Sequence, residues 1–112
     1  MRVGPLVLAL DIGTSSCRAS LYDARGERVS GHVAQLEYAP TVTPDGGAEL
    51  DPDLLVTRVE HVIDQVLADN RPAAGAIIGV GISAFWHSLM GVDEHGSACT
   101  PIYLWMDGRS RA

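Results

Sequence analysis

The sequence predicts an α/β protein built on a mixed sheet, with three antiparallel strands, one crossover helix, a strand parallel to the first and an added hairpin. Three observations carry that prediction. Residues 6–22, LVLALDIGTSSCRASLY, read as an apolar strand, a tight polar turn and a second strand. Residues 51–69 place apolar side chains at helical spacing behind Asp51-Pro52-Asp53. Residues 76–83, AIIGVGIS, form another apolar run of strand length, and a strand that follows a crossover helix lies parallel to the strand before it.

Residues 6–10 are continuously apolar, as expected of a strand buried on both faces. The second strand spans residues 17–22. Asp23-Ala24-Arg25-Gly26 follows as a turn, with Gly26 suited to a left-handed position. A third strand over residues 27–38 pairs antiparallel with the second. Its alternation is imperfect, with Val29, Gly31, Val33 and Gln35 on one side, which marks an edge or half-exposed strand. Residues 39–50, with two prolines and a Gly-Gly pair, read as a loop without regular structure.

The helix begins with Asp51 as N-cap, Pro52 in the first turn and Asp53 favourable to the dipole. Leu55, Val59, Val62, Ile63, Val66 and Leu67 form its apolar stripe, and Asn70-Arg71-Pro72 stops it. Gly79 and Gly81 in the next strand point to close backbone packing or a bend. Residues 88–92 and 102–105 form a hairpin around Asp93-Glu94-His95-Gly96. One helix cannot cover both faces of a sheet whose central strands are apolar throughout, so the sequence reads as the opening section of a larger domain.

Composition narrows the function. With 46% hydrophobic and 20% charged residues, 112 residues suffice for one globular core. The net charge is −6, and every basic residue is Arg, without a basic patch; nucleic acid is therefore not expected as a partner. Cys17 and Cys99 form no C-x-x-C pair, which argues against zinc. Two buried or half-buried thiols are the simpler reading, and a single disulfide is the alternative. No stretch reaches the apolar length of a membrane span, and the short run before Asp11 resembles a signal peptide only superficially. A cytoplasmic location is the expectation.

The polar turn carries the chemistry. Gly13 lets the chain turn sharply and approach a ligand closely. Thr14, Ser15 and Ser16 bring hydroxyls and turn N–H groups, which together form a concave anion site. Arg18 adds planar donors suited to phosphate. Asp11, costly to bury alone, stands where a phosphate-bound Mg²⁺ needs an oxygen, through water. An ordinary β-hairpin with a polar turn is the alternative.

The segment LALDIGTSSCRASLYDARG resembles the first phosphate motif of the sugar-kinase, Hsp70 and actin superfamily, whose fold is ribonuclease-H-like. The downstream VGISAFWHSLMGVDEHGSACTPIYLWMDGRS is similar to the FGGY family of carbohydrate kinases. The resemblance implies an actin-like ATPase fold, of which residues 1–112 are an incomplete N-terminal portion of the first domain, with the second domain absent.

It also implies ATP and Mg²⁺ as cofactors and a sugar or sugar acid as substrate. Gly13, Thr14, Ser15, Ser16 and Arg18 would face the ATP phosphates, with Thr14 closest to the transferred group, and Asp11 would lie near the metal. Trp86 and His87 would contact sugar hydroxyls, Trp105 would pack against the sugar, and Asp107 and Arg109 would shape that end of the pocket. The remaining histidines, His32, His61 and His95, read as surface residues. The family's xylulose kinases carry Met-His where this chain has Trp86-His87, and its glycerol kinases carry Arg-Glu. With neither Arg nor Glu there, glycerol is disfavoured; the segment F-W-H-S-L with a following G-V-D resembles the gluconate kinases more, with the xylulose kinases second. The family's catalytic Asp lies downstream of the homologous segment, so this chain alone is expected to be inactive. A self-associating, non-catalytic binding module on the same fold is the alternative. A metal hydrolase using Asp11, His87 and Asp107 fits poorly, since no pair has ligand spacing.

Overall fold

The computed structural model describes residues 4–29 and 33–111. Strand β1 (Leu6–Ile12) pairs antiparallel with β2 (Ser16–Tyr22), and β2 with β3 (Ala34–Glu37). Helix α1 (Pro52–Asp69) crosses over, through the short α2 (Arg71–Ala74), to β6 (Ile77–Ala84). Strand β6 lies parallel to β1, giving the order β3-β2-β1-β6. A second sheet, in the order β4-β5-β7, comprises β4 (Thr41–Val42), β5 (Ala48–Leu50) and β7 (Ile102–Tyr103).

Helix α1 starts as its sequence dictates. The Asp51 carboxylate accepts from the N–H groups of Asp53 at 2.9 Å and Leu54 at 3.3 Å, and Pro52 occupies the first turn. Val62 and Val66 are fully buried, and Leu55, Val59, Ile63 and Leu67 pack beside them. They share one core with Leu6, Leu8 and Leu10 of β1 and Cys17, Ala19 and Leu21 of β2. Asn70 closes α1, its N–H donating to Leu67 O and its side chain to Val66 O. Pro72 then stands in the first turn of α2, where its missing N–H costs nothing.

Several expectations give way. Strand β1 is buried on one face only: Leu6, Leu8 and Leu10 point to the helix, whereas Val7 and Asp11 are exposed. Strand β6, expected to be buried, is largely open, with Val80 56% and Ile82 65% exposed. In register they stand beside Leu8 and Leu10 on the helix side, but α1 packs chiefly over β2 and β3, at the other side of the sheet from β6. A Cβ on Gly79 or Gly81 would meet nothing within 4 Å, so close packing is not their role among the described residues. The β1–β6 ladder instead shifts register between Leu6 and Val7, just before Gly79.

Residues 39–50 are not a loop. Thr41–Val42 and Ala48–Leu50 form a hairpin. Gly46, at φ 92°, takes the left-handed position of its turn, and Thr43 Oγ1 accepts from the Gly47 N–H at 2.9 Å. The third strand is shorter than 27–38. Arg28 bridges to Tyr22, regular pairing resumes at Ala34, and Gly31 and His32 lie outside the described residues. It is an edge strand, as its alternation indicated. The hairpin at Asp93–Gly96 survives as isolated bridges, Val92 to Ala98 and Leu89 to Tyr103, with Asp93 accepting from the His95 and Ser97 N–H groups. Gly26 and Gly96 are both left-handed. Cys17 is buried as expected; Cys99 is exposed, contrary to expectation, and both thiols are free.

Candidate functional site

Parallel pairing puts the C-terminal ends of β1 and β6 side by side, and Phe85 N–H donates to Ile12 O at 3.0 Å to tie them. The 13–16 hairpin and the Trp86-His87 pair therefore leave the sheet at the same end. Open α/β sheets place ligands at this end.

At the hairpin, Gly13 N–H donates to Ser16 O at 2.9 Å. Gly13 does not adopt a left-handed conformation, contrary to the simplest use of a turn glycine. It is needed for a close approach, since a Cβ there would lie 3.0 Å from Ser16 O. Among the described residues, no hydrogen bond is donated by the Thr14 or Ser15 N–H. Tyr38, unremarked in the sequence, clamps the hairpin from behind. Its hydroxyl donates to Gly13 O, and its N–H donates to Ser15 O at 2.9 Å. Burial pushes the Tyr38 hydroxyl up to about 12, so it stays protonated at ordinary pH.

Asp11 and Arg18 are cross-strand partners on the face away from α1, with Arg18 Nη2 2.9 Å from Asp11 Oδ2. Both side chains are about half exposed, so Asp11 carries no burial penalty. Ser16 Oγ accepts from Gln35 Nε2 at 3.4 Å.

Trp86 is 77% exposed and meets His87 edge-on, with ring centroids 6.0 Å apart. His87 is the one described non-glycine residue with positive φ, at 56°, a strained conformation for a residue with a Cβ. Trp105 reaches back across the chain, its Nε1 donating to Thr14 Oγ1 at 3.4 Å. His87, Trp105, Asp107 and Arg109 line one open concavity of about 580 Å³ with Tyr103 and Leu104; Trp86 stands outside it.

Asp107 and Arg109 belong to a tight network. The Asp107 carboxylate accepts from Ala48 N–H at 3.0 Å and from the Arg109 guanidinium at 2.6 Å. Arg109 also bonds Glu49 at 2.5 Å and lies 5.5 Å from the Tyr103 ring centroid. The Arg109 hydrogen bond, first among several, holds the Asp107 carboxyl well below the usual carboxylate range, and the same bond raises Arg109. Both side chains are thus committed to holding the second sheet in place. Glu49 lies in a segment whose prolines and glycines are local loop signals; the alternation of Ala48 and Leu50, both buried around it, is the signal of a strand.

Residues 6–112 match the model of the FGGY family of carbohydrate kinases, N-terminal domain. The chain belongs to the FGGY family. It is similar to a glycerol kinase from Desulfitobacterium hafniense (34% identity over 93% of this chain and 21% of the relative). A xylulose kinase from Streptomyces rubiginosus (34%, 96% and 21%) and a gluconokinase from Bacillus subtilis (30%, 93% and 20%) are similar to comparable extents. The solved structure of a xyloylose kinase from Brucella ovis superposes with TM-score 0.86 at 29% identity, over 93% of this chain and 22% of that one. The mixed sheet and its helix match the N-terminal portion of the FGGY actin-like fold. The chain spans about a fifth of the length of the curated FGGY relatives it matches. Glycerol, xylulose and gluconate kinases are matched at similar identity, so overall similarity does not select a substrate. No helix among the described residues is long and apolar enough to cross a membrane.

Proposed function

We propose that this chain is the N-terminal part of an ATP-dependent carbohydrate kinase, carrying the phosphate hairpin and one side of the sugar pocket. The observation that carries the reading is the contact of Trp105 with Thr14: the tip of the hairpin adjoins the rim of the aromatic concavity. Phosphoryl transfer needs that adjacency, because catalysis there is mainly positioning and charge stabilisation.

The residues present fit a magnesium-bound polyphosphate. Thr14 and Ser15 offer N–H groups with no described protein acceptor, and Thr14, Ser15 and Ser16 offer hydroxyls. Arg18 supplies positive charge beside them. Asp11, paired here with Arg18, supplies one carboxylate, and Mg²⁺ is held by one or two carboxylates together with phosphates and water; no cluster of three metal-ligating side chains occurs among the described residues. Magnesium would supply charge neutralisation between the phosphates. Gly13 brings the backbone close, and Thr14 stands nearest the sugar side. His87 and Trp105 line the sugar pocket, with Trp86 at its approach. Asp107 and Arg109 act on the pocket indirectly, by fixing the wall that carries Trp105. Gluconate is the favoured acceptor and xylulose the second.

The test is a MgATP phosphoryl-transfer assay with gluconate, xylulose, ribulose and glycerol. It uses this chain and one extended to the length of its relatives. Turnover by the extended chain only, with gluconate preferred, is the expected result. Turnover by the 112-residue chain would overturn the expectation that the catalytic base lies elsewhere. One observation favours a second reading, a self-associating binding module: Ile78, Val80 and Ile82 form an uncovered apolar row on an edge strand. A concentration-independent monomer in sedimentation would remove it.

A further inference from the structure

We infer that Tyr38 is the positioning residue of the 13–16 hairpin, setting through two backbone carbonyls where the hairpin amides point. Its functional consequence rests on the phosphate reading of that hairpin.

The geometry follows from the peptide plane. No described peptide is cis, so each carbonyl and the next residue's N–H lie on opposite sides of one rigid plane. The Tyr38 hydroxyl holds Gly13 O, which turns the Thr14 N–H away from the tyrosine ring. The Tyr38 N–H holds Ser15 O, which does the same to the Ser16 N–H. In a two-residue hairpin the Gly13 carbonyl would ordinarily accept from Ser16 N–H and close the turn. Here Gly13 N–H donates to Ser16 O, but no return bond from Ser16 N–H to Gly13 O occurs among the described residues. The carbonyl that would have consumed that amide is occupied by Tyr38. The tyrosine is 8% exposed and packed in the core, so its hydroxyl is a fixed donor. Its elevated pKa keeps that donor protonated. Tyr38 therefore acts through the hairpin and touches no ligand itself.

The test is NMR on the isotopically labelled 112-residue chain and its Tyr38→Phe variant. Without ligand, the variant frees Gly13 O to accept from Ser16. The expected result is a shifted Gly13 carbonyl carbon and Ser16 amide exchange slowed severalfold, with Cys17 and Ala19 unchanged. A Gly13 carbonyl and a Ser16 amide that both behave as in the parent chain would overturn the assignment. On adding MgADP, the parent is expected to respond at Thr14, Ser15 and Ser16, and the variant to bind at least about twofold more weakly, the low end for one hydrogen bond. Equal binding would also overturn it. If the parent gives no hairpin response, the ligand-free arm alone decides the Tyr38 assignment, and the phosphate reading passes to the extended chain. If Tyr38→Phe does not fold, 3-fluorotyrosine in place of tyrosine strengthens the donor, and the Gly13 carbonyl must then move downfield; no movement rejects the role.

Discussion

Asp107 shows how a single side chain sets a pH dependence. Its carboxyl is held low in the folded chain, chiefly by Arg109, while the unfolded value is about 3.9. A depressed folded pKa contributes stability that is fully present above the unfolded value and lost as pH falls through the folded one. Thermal midpoints should therefore decline below about pH 4, and Asp107→Asn should lower the neutral-pH midpoint while flattening that acid decline. Asp11 and Arg18 behave differently, because both are half exposed and screened by water. Arg18→Ala should change stability by less than about 0.5 kcal/mol in chemical denaturation. On the proposed function, the same substitution in the extended chain should weaken ATP use at least about tenfold, since charge-assisted phosphate contacts are worth more than surface pairs. Of these residues the motif was legible from the sequence. Tyr38 and Glu49 were not, because each acts through partners distant in the chain.

At the scale of elements, α1 was the most legible. A cap, a proline and an apolar stripe all act within a few residues, and the structure follows them. Asp51→Ala should cost about 1 kcal/mol, and Val66→Ala about 2–3 kcal/mol because Val66 is 1% exposed; urea unfolding monitored by circular dichroism reads both. The β4–β5 hairpin was hidden. Its prolines and glycines are loop signals taken alone, and only pairing of β5 with β7 makes them a turn between strands. Gly47 is the sensitive point there. A Cβ would stand 2.8 Å from Arg109 Cζ and collide with the Thr43 hydroxyl. Gly47→Ala should cost about 1–3 kcal/mol by overpacking, and it should loosen the Arg109 ion pairs.

The whole molecule is extended rather than spherical. Its radius of gyration is 16.8 Å, against about 13 Å for a compact chain near this length. One face of the four-stranded sheet carries α1, while the far face and the β6 edge stay open. An uncharged apolar edge strand invites pairing with another chain. Ile82→Lys should reduce concentration-dependent light scattering without lowering the unfolding midpoint, because Ile82 is already 65% exposed. Scattering unchanged by that substitution would show that β6 is not the surface responsible.

By itself the sequence determined the α/β class, the helix and its caps, the parallel placement of β6 and the polar turn. Each follows from local chemistry or chain handedness, which neighbouring residues encode. Only the tertiary structure decided which strand faces are covered, that residues 39–50 form a hairpin, and that Tyr38 grips the 13–16 turn. It alone joined Trp105 to Thr14, 91 residues away. Burial and contact depend on which element lies over which, and that depends on pairings between residues far apart in the chain.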